Sequence, residues 1–389
     1  MTAADHPTVA HVVMPYLFAT GSWVYGQLVR LRRYRPIVLT DRTENFDVFP
    51  FDRVYAYEGV SAARKAILCL SKWRVSGGLE PYFEQVLSRQ RARLMHVHFG
   101  NAGWEMLETK RATGLPMVTA FYGADVSQIP RDPIWRLRYK DLFEDGELFL
   151  AEGGAMRRAL LDLGCPFDKV VVQRLGVDVD ALPFVARRPN ATGTVKVLIA
   201  ATFREKKGIP DALRAVERVR HRFPKLEVTL IGDATSKPGD HDEKRRILEI
   251  LGRLQGTVTW ETFIPYPLFR GVLLEHHVFL SPSVTARDGD SEGGAPVSII
   301  EAQATGMPIV STFHADIPEV VVPGESALLS AERDVDGLAE NLAQLVAEPG
   351  KWEAMGKAGR AHVEAQHNVR VQVARLEQLY SQVTMDGSP

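Results

Sequence analysis

The chain has 389 residues, 45% hydrophobic and 24% charged, a balance that excludes a disordered protein and suits two domains better than one core. Its 47 basic and 48 acidic residues leave a formal charge of −1, which gives no support to a nucleic-acid binder held by phosphate charge. The two cysteines, Cys69 and Cys165, stand far apart, at no zinc spacing and in no disulfide framework, as suits a reducing compartment. No signal peptide is read near the N-terminus, and no apolar run approaches the ~18–20 residues of a membrane span. A cytoplasmic protein, at most peripheral on the cytoplasmic membrane face, is expected.

In chain order, Val9 to Met14 reads as a strand, Trp23 to Arg33 as a helix and Pro36 to Thr40 as a second strand. Ala62 to Arg74 and Glu80 to Arg89 read as helices. The short strands Leu94 to His98, Met117 to Phe121 and Leu148 to Leu150 alternate with helices Ala102 to Arg111, Ile134 to Phe143 and Met156 to Leu163, and Val170 to Gln173 closes this half. Ala186 to Thr194 is polar, holds Pro and Gly, lacks apolar periodicity and reads as a linker. The alternation then restarts. Strands are expected at Lys196 to Ala200, Glu227 to Ile231, Thr257 to Trp260, Val278 to Ser281 and Pro308 to Ser311. Helices are expected at Ile209 to Phe223, His241 to Leu254, Ser298 to Ala304 and Val335 to Ala347. Strands separated by helices imply βαβ units and parallel, doubly wound sheets. The expected division is residues 1–185, a linker at 186–194 and residues 195–367, with a C-terminal helix at about 368–385 packing back on the first domain. Ligands in such sheets bind beyond the C-terminal strand ends.

The most informative stretch runs from Ser281 to Ala331. A strand end is followed by an acidic, glycine-containing loop, and Pro296 then opens a helix where a missing N–H costs nothing. Glu292-Gly293-Gly294-Ala295 is expected to present free backbone N–H groups, with small side chains that admit a bulky anion. Glu301, one and a half turns into the helix, could accept two hydrogen bonds from a ribose diol.

This stretch resembles the C-terminal domain of the retaining, nucleotide-sugar-dependent glycosyltransferases of family 4. Their signature pairs two glutamates separated by seven residues with a downstream G-x-P-x-V segment. Glu301-Ala302-Gln303-Ala304-Thr305-Gly306-Met307-Pro308-Ile309-Val310 fits its second half, and Ile317 to Asp334 fits the segment that comes next in the family. The resemblance spans most of the chain and is specific mainly from Thr194 to Asp334. It implies the GT-B fold of two facing Rossmann-like α/β domains with a deep interdomain cleft, and points to the subgroup that builds capsule and exopolysaccharide, colanic-acid-type repeat units. The chain departs from the signature in one respect: Glu292 and Glu301 are separated by eight residues. A bulge at Gly293 could return Glu292 to its place, or Asp290 could substitute. We take Glu292 as the first glutamate, with Gly293, Gly294, Ala295, Pro296, Val297 and Glu301 binding the donor.

Thr202 to Gly208 resembles the family loop whose Arg and Lys grip the donor diphosphate. Lys207 matches the Lys. Thr202 occupies the Arg position, and Arg204, two residues on, is expected to take over. Two cations at a helix N-terminus would neutralise a diphosphate and stabilise the departing nucleotide. The family's usual G-G-I-P-E becomes His314-Ala315-Asp316-Ile317-Pro318-Glu319 here, and His314 is expected to contact the donor or acceptor.

On the first domain, His96 and His98, two positions apart, are expected on opposite strand faces, which leaves His98, nearer the strand's C-terminal end, as a catalytic candidate. Phe121-Tyr122-Gly123-Ala124-Asp125 resembles a family segment in which a His touches the donor sugar. Tyr122 takes that position and Asp125 orients the loop, and both are read as acceptor or sugar contacts. Gly21 permits close backbone approach to the donor. Asp178-Val179-Asp180 and Asp288-Gly289-Asp290 have the D-x-D spelling that holds metal in the other glycosyltransferase fold, but no metal or other cofactor is expected here. Lys72-Trp73-Arg74 and Trp135 to Lys140 are basic and aromatic and could meet an anionic membrane.

The resemblance implies transfer of a sugar from a UDP-sugar, or next a GDP-sugar, to a hydroxyl of a glycan, lipid-linked or small-molecule acceptor, with retention of configuration. The alternatives are a GT-B nucleotide-sugar epimerase, which needs no acceptor, and a non-catalytic nucleotide-sugar-binding partner.

Overall fold

A computed structural model describes residues 6–71 and 79–386. Two compact units divide the chain. One holds the chain up to Gly176 together with the stretch from Val369 onward, and the other holds Val177–Asn368.

The first unit carries seven strands: β1 (Thr8–Val12), β2 (Arg35–Thr40), β3 (Val54–Ala56), β4 (Ala92–His98), β5 (Met117–Ala120), β6 (Leu148–Ala151) and β7 (Val170–Val172). They pair in parallel in the order β3-β2-β1-β4-β5-β6-β7. Parallel sheets are covered on both faces, so their strands are nearly continuous apolar runs rather than alternating ones. Phe83, Met95, Phe121, Leu142 and Phe149 fill one face. On the other, Leu376, Tyr380 and Val383 of the C-terminal helix Val369–Asp386 pack against Val9, Leu94 and Val118.

The second unit carries β8 (Val195–Ala200), β9 (Leu226–Ile231), β10 (Val258–Glu261), β11 (Val278–Ser281), β12 (Ile309–Thr312) and β13 (Ala327–Ser330), all parallel, in the order β10-β9-β8-β11-β12-β13. Helix Ile209–Val219 begins on Gly208 with a proline in its first turn, where no intrahelical N–H is lost. It buries Ile209, Ala212, Leu213, Val216 and Val219 against this sheet.

The division differs from the expected one. The second unit starts at Val177, and residues 186–194 are part of it rather than a linker before it. Just upstream, the Val185 N–H donates to Thr305 O at 3.0 Å. Arg187, 2% exposed, donates to the carbonyls of Leu274, Thr305 and Leu273 at 2.7, 2.9 and 3.1 Å. These carbonyls lie at the ends of helices Tyr266–Glu275 and Val297–Ala304, where backbone acceptors lack intrahelical partners. A guanidinium that caps two helices leaves no periodic trace, so a segment held in this way reads as loose. Strands β3 and β13 and helices Tyr266–Glu275 and Trp352–Gln366 also went unread. The stretch Lys72-Trp73-Arg74 lies outside the described residues.

Candidate active site

In both sheets the strand order reverses once, between β1 and β4 and between β8 and β11. Loops leaving adjacent strands there diverge to opposite faces, which opens a crevice at the C-terminal strand ends. In the second unit the β8 loop carries Arg204, Lys206 and Lys207, and the β11 loop carries Asp290 and Glu292. Gly208 joins them. Its φ is +61°, and a Cβ built on it would stand 1.8 Å from Pro282 O. Only a residue without a side chain lets the two backbones approach this closely.

Across this contact the charges interlock. Arg204 Nη2 donates to Asp290 Oδ2 at 2.5 Å, and its Nε lies 4.0 Å from Asp240 Oδ1. Lys206, which is buried, donates to Asp290 Oδ1 at 3.1 Å and to Ser291 O at 2.9 Å. Lys207 Nζ reaches Glu292 Oε1 at 2.7 Å and Oε2 at 2.9 Å. Ser283 Oγ donates to Glu292 Oε1 at 3.1 Å. Burial alone would raise the Glu292 carboxyl, but Lys207 and Lys206 overrule it and hold the group at about 2. Asp290, the alternative first glutamate, serves Arg204 and Lys206 instead, and Glu292 takes Lys207. Gly293, which follows Glu292, has a φ of +49°.

That turn corrects one expectation. Two of the backbone N–H groups expected to be free are engaged within the loop: Gly293 N–H donates to Ser291 Oγ at 3.2 Å, and Gly294 N–H donates to Glu292 O. A tight turn at a left-handed glycine folds these donors inward. Pro296 stands at the N-cap of helix Val297–Ala304, and Ala295 is buried beside it.

Both ring nitrogens of His314, expected to contact donor or acceptor, meet protein groups. The residue is 2% exposed, its Nε2 accepts the Glu292 N–H at 3.0 Å, and its Nδ1 lies 2.6 Å from Glu332 Oε1. The ring braces the β11 loop, because the histidine side chain is long enough to reach back from the β12 end to the neighbouring strand end.

Glu301, 3% exposed, accepts a hydrogen bond from Tyr266 Oη at 2.5 Å. Burial raises its carboxyl to about 7, against the opposing pull of Tyr266 and Arg270. A carboxyl raised from 4.5 binds more protons folded than unfolded, so its cost to stability is absent below 4.5 and fully present above 7. Glu301→Gln should therefore stabilise the fold relative to wild type at pH 8, by an upper bound of roughly 3 kcal/mol, and raise its Tm. The gain should shrink toward pH 5. A variant with no gain at pH 8 would show that the carboxyl is not held in this way. A costly buried acid is typical of a group kept for binding.

In the first unit, His96 and His98 lie on one face, not opposite faces. Side chains alternate along a strand, so residues two apart share a side, and the two rings stack at 4.4 Å. His98 is 0% exposed, with Nε2 3.0 Å from His11 Nδ1 and Nδ1 2.6 Å from Tyr122 Oη. Its pKa is pushed well below the usual value by burial and by His96 and His11. His98, expected to be catalytic, is buried with both ring nitrogens engaged, by His11 and by Tyr122. His11, His96 and His98 are a group among the described residues whose ligand atoms converge, all lying within 4.8 Å of one another. Tyr122 is half-buried against Trp23 and Phe99, and burial and Glu152 raise its hydroxyl well above 10. Asp125, 1% exposed, accepts the N–H groups of Gly123, Gly100 and Tyr122 at 2.8, 2.9 and 3.0 Å. Its carboxylate orders the loop, as expected, and its buried oxygens are occupied by backbone rather than turned to a sugar. Gly21 caps helix Ser22–Leu28, and a Cβ there would meet Leu17 Cδ2 at 2.8 Å. Trp135 packs against Trp104 and Tyr139, with Arg138 stacked 4.3 Å over Trp104, so this stretch turns its aromatic rings into the core. No described helix is long and apolar enough to cross a membrane.

Lys206, Ser283, Tyr266 and Glu332 went unread in the sequence. Lys206 had a signal, adjacent to Lys207 in the same loop. Tyr266 and Glu332 lie far along the chain from the groups they touch.

Two parallel α/β units, each with a switch point and one bearing interlocked cations and carboxylates at its strand ends, match the GT-B fold. The fold is shared with sucrose-phosphate synthase from Thermosynechococcus elongatus (TM-score 0.78, 18% identity, 98% of this chain and 100% of that one). It is also shared with Anabaena HepE in complex with UDP and glucose (TM-score 0.78, 15% identity, 97% and 100%). The family described as Glycosyltransferase Family 4 matches residues 9–181, and Glycosyl transferases group 1 matches residues 194–348. The amylovoran biosynthesis glycosyltransferase AmsK of Erwinia amylovora is 32% identical over 291 residues, 74% of this chain and 70% of that protein. WcaL of Escherichia coli (strain K12), named for colanic acid biosynthesis, is 31% identical over 296 residues, 75% and 71%. The chain belongs to the family 4, group 1 glycosyltransferases, alongside exopolysaccharide enzymes.

Proposed function

We propose that the protein transfers a sugar from a UDP-sugar to a hydroxyl of a growing exopolysaccharide unit, glycan or lipid-linked, with retention of configuration and without a metal. The observation that carries this is the pair Arg204 and Lys207, each partly exposed at the start of helix Ile209–Val219, where two cations and a helix N-terminus suit a diphosphate. Glu301 supplies the acceptor for the ribose hydroxyls, and the UDP and UDP-glucose complexes of the HepE structures support uridine as the base. The family likeness implies retention, and the acid–base balance suits it. An efficient general base has a pKa near the working pH. Glu292, held at about 2, is too weak a base, and Tyr122 is too weak an acid to ionise. The departing phosphate oxygen is left to take the acceptor's proton. The bond from the anomeric carbon to phosphate breaks, the bond to the acceptor oxygen forms on the same face, and UDP leaves.

The assay is transfer from UDP-sugars and GDP-sugars to lipid-extract or oligosaccharide acceptors in the presence of EDTA, with the product's anomeric configuration read by NMR. UDP release at an undiminished rate in EDTA and an axial product from an axial donor are expected. Turnover that is lost in EDTA and restored by magnesium or manganese would sink metal independence, and an inverted product would sink retention.

A further inference from the structure

The chain departs from its family pattern twice in the β11 to β13 region. One extra residue stands between the two glutamates, and the family's usual G-G-I-P-E becomes His314-Ala315-Asp316-Ile317-Pro318-Glu319. The structure puts the two departures in contact. Strands β11, β12 and β13 are neighbours, and their C-terminal loops carry Glu292, His314 and Glu332 in that order. The Glu292 backbone N–H donates to His314 Nε2 at 3.0 Å. A nitrogen that accepts cannot carry a proton, so the ring proton sits on Nδ1 and faces Glu332 Oε1 at 2.6 Å. Glu332 is fixed in turn, since its Oε2 accepts the Thr285 N–H at 2.8 Å and its Oε1 lies 3.3 Å from Thr285 Oγ1. The turn at Gly293, with φ +49°, comes directly after the residue whose N–H is held.

We propose that Glu332 and His314 are positioning residues for glycosyl transfer, with Glu332 selecting the His314 tautomer and His314 holding the Glu292 backbone so that the longer loop keeps its carboxylate on Lys207. This rests on the reading of the Lys207 and Glu292 loops as the donor site. His314 touches no reacting atom. It acts by satisfying a buried N–H whose loss of a partner would otherwise let the loop relax away from Lys207.

Two measurements test it. Histidine-selective 15N NMR of the full chain, with the His314 signal assigned by its loss in His314→Gln, should show a protonated Nδ1 and a bare Nε2. Glu332→Gln should weaken that preference. Kinetics with UDP-sugar should show His314→Phe, which keeps a ring but no acceptor, lowering kcat by roughly 10–100-fold, as expected when a loop that aligns a preorganised electrostatic group shifts out of place. KM for the donor should change by less than about threefold and Tm only slightly, a split that simple unfolding would not give. His314→Gln, whose amide oxygen ends near the Nε2 position, should recover most of the loss. A protonated Nε2 at neutral pH, wild-type kcat in His314→Phe, or a loss in His314→Gln as large as in His314→Phe would each overturn the proposal. A wild-type protein with no turnover on any nucleotide sugar would instead count against the donor-site reading, and the tautomer measurement would still stand apart from it.

Discussion

Replacing Arg204 by alanine should lower kcat by roughly 10²–10³-fold with a smaller effect on KM. That is about 2.7–4 kcal/mol, the range of a preorganised electrostatic donor. The family's usual arginine position holds Thr202, which cannot offset diphosphate charge. Arg204 stands at the same loop, with its Nη2 on Asp290 at 2.5 Å and Lys206 on the other oxygen of that carboxylate. Asp290 thus holds the guanidinium in place before negative charge grows on the leaving phosphate, and only the interaction that strengthens in the transition state raises kcat. Arg204→Lys should recover part of the loss, since a point ammonium lacks the planar fork that spans two oxygens. Steady-state kinetics alongside Lys207→Ala decide the matter. Near-wild-type kcat in Arg204→Ala beside an inactive Lys207→Ala would show that Arg204 serves only Asp290.

The second large effect is expected at Gly208, where the loops of β8 and β11 meet. Alanine there places a Cβ 1.8 Å from Pro282 O in a backbone conformation, φ +61°, that L side chains rarely adopt. Backbone cannot swing aside as a flexible side chain would, so the two loops must separate. A cost above ~4 kcal/mol is expected, with a fall in Tm of roughly 10 °C or more for a unit of this size, together with loss of nucleotide binding. Gly239→Ala, at a helical glycine with nothing within 4 Å of a built Cβ, is the control and should leave both unchanged. Calorimetry that finds Gly208→Ala as stable as Gly239→Ala would mean that the close approach of the two loops is not needed.

Much of this architecture was legible from the residues alone because short buried strands and amphipathic helices leave periodic traces, as Val195–Ala200 and Ile209–Val219 do. The motif residues of the second unit were legible for a related reason. Arg204, Lys207 and Glu292 sit in strand-to-helix loops and Glu301 in the helix that follows one of them, and the structure brings the first three into one charge cluster through Asp290 and Lys206. What the sequence withheld are contacts made between distant positions. Arg187 reads as a polar linker residue until the carbonyls of Leu273, Leu274 and Thr305 are seen around it. His314 reads as a ligand contact until Glu332, eighteen positions on, is found on its other nitrogen. His98 was misplaced for a simpler reason. Two residues along a strand return to the same face, so His96 and His98 stack, and both are buried with His11.

The most direct test is a calorimetric titration of UDP into wild-type protein and into Lys207→Ala, in EDTA. Lys207 is the cation that Glu292 holds at 2.7 Å on the donor loop, and a charged hydrogen bond to a phosphate oxygen is worth about 1.5–3 kcal/mol. A measurable UDP affinity in wild type that weakens by roughly 10–100-fold in Lys207→Ala, with the Tm retained, is the predicted result. UDP binding of equal strength in both proteins, or no binding of any nucleoside diphosphate to the wild type, would contradict a donor site at this loop.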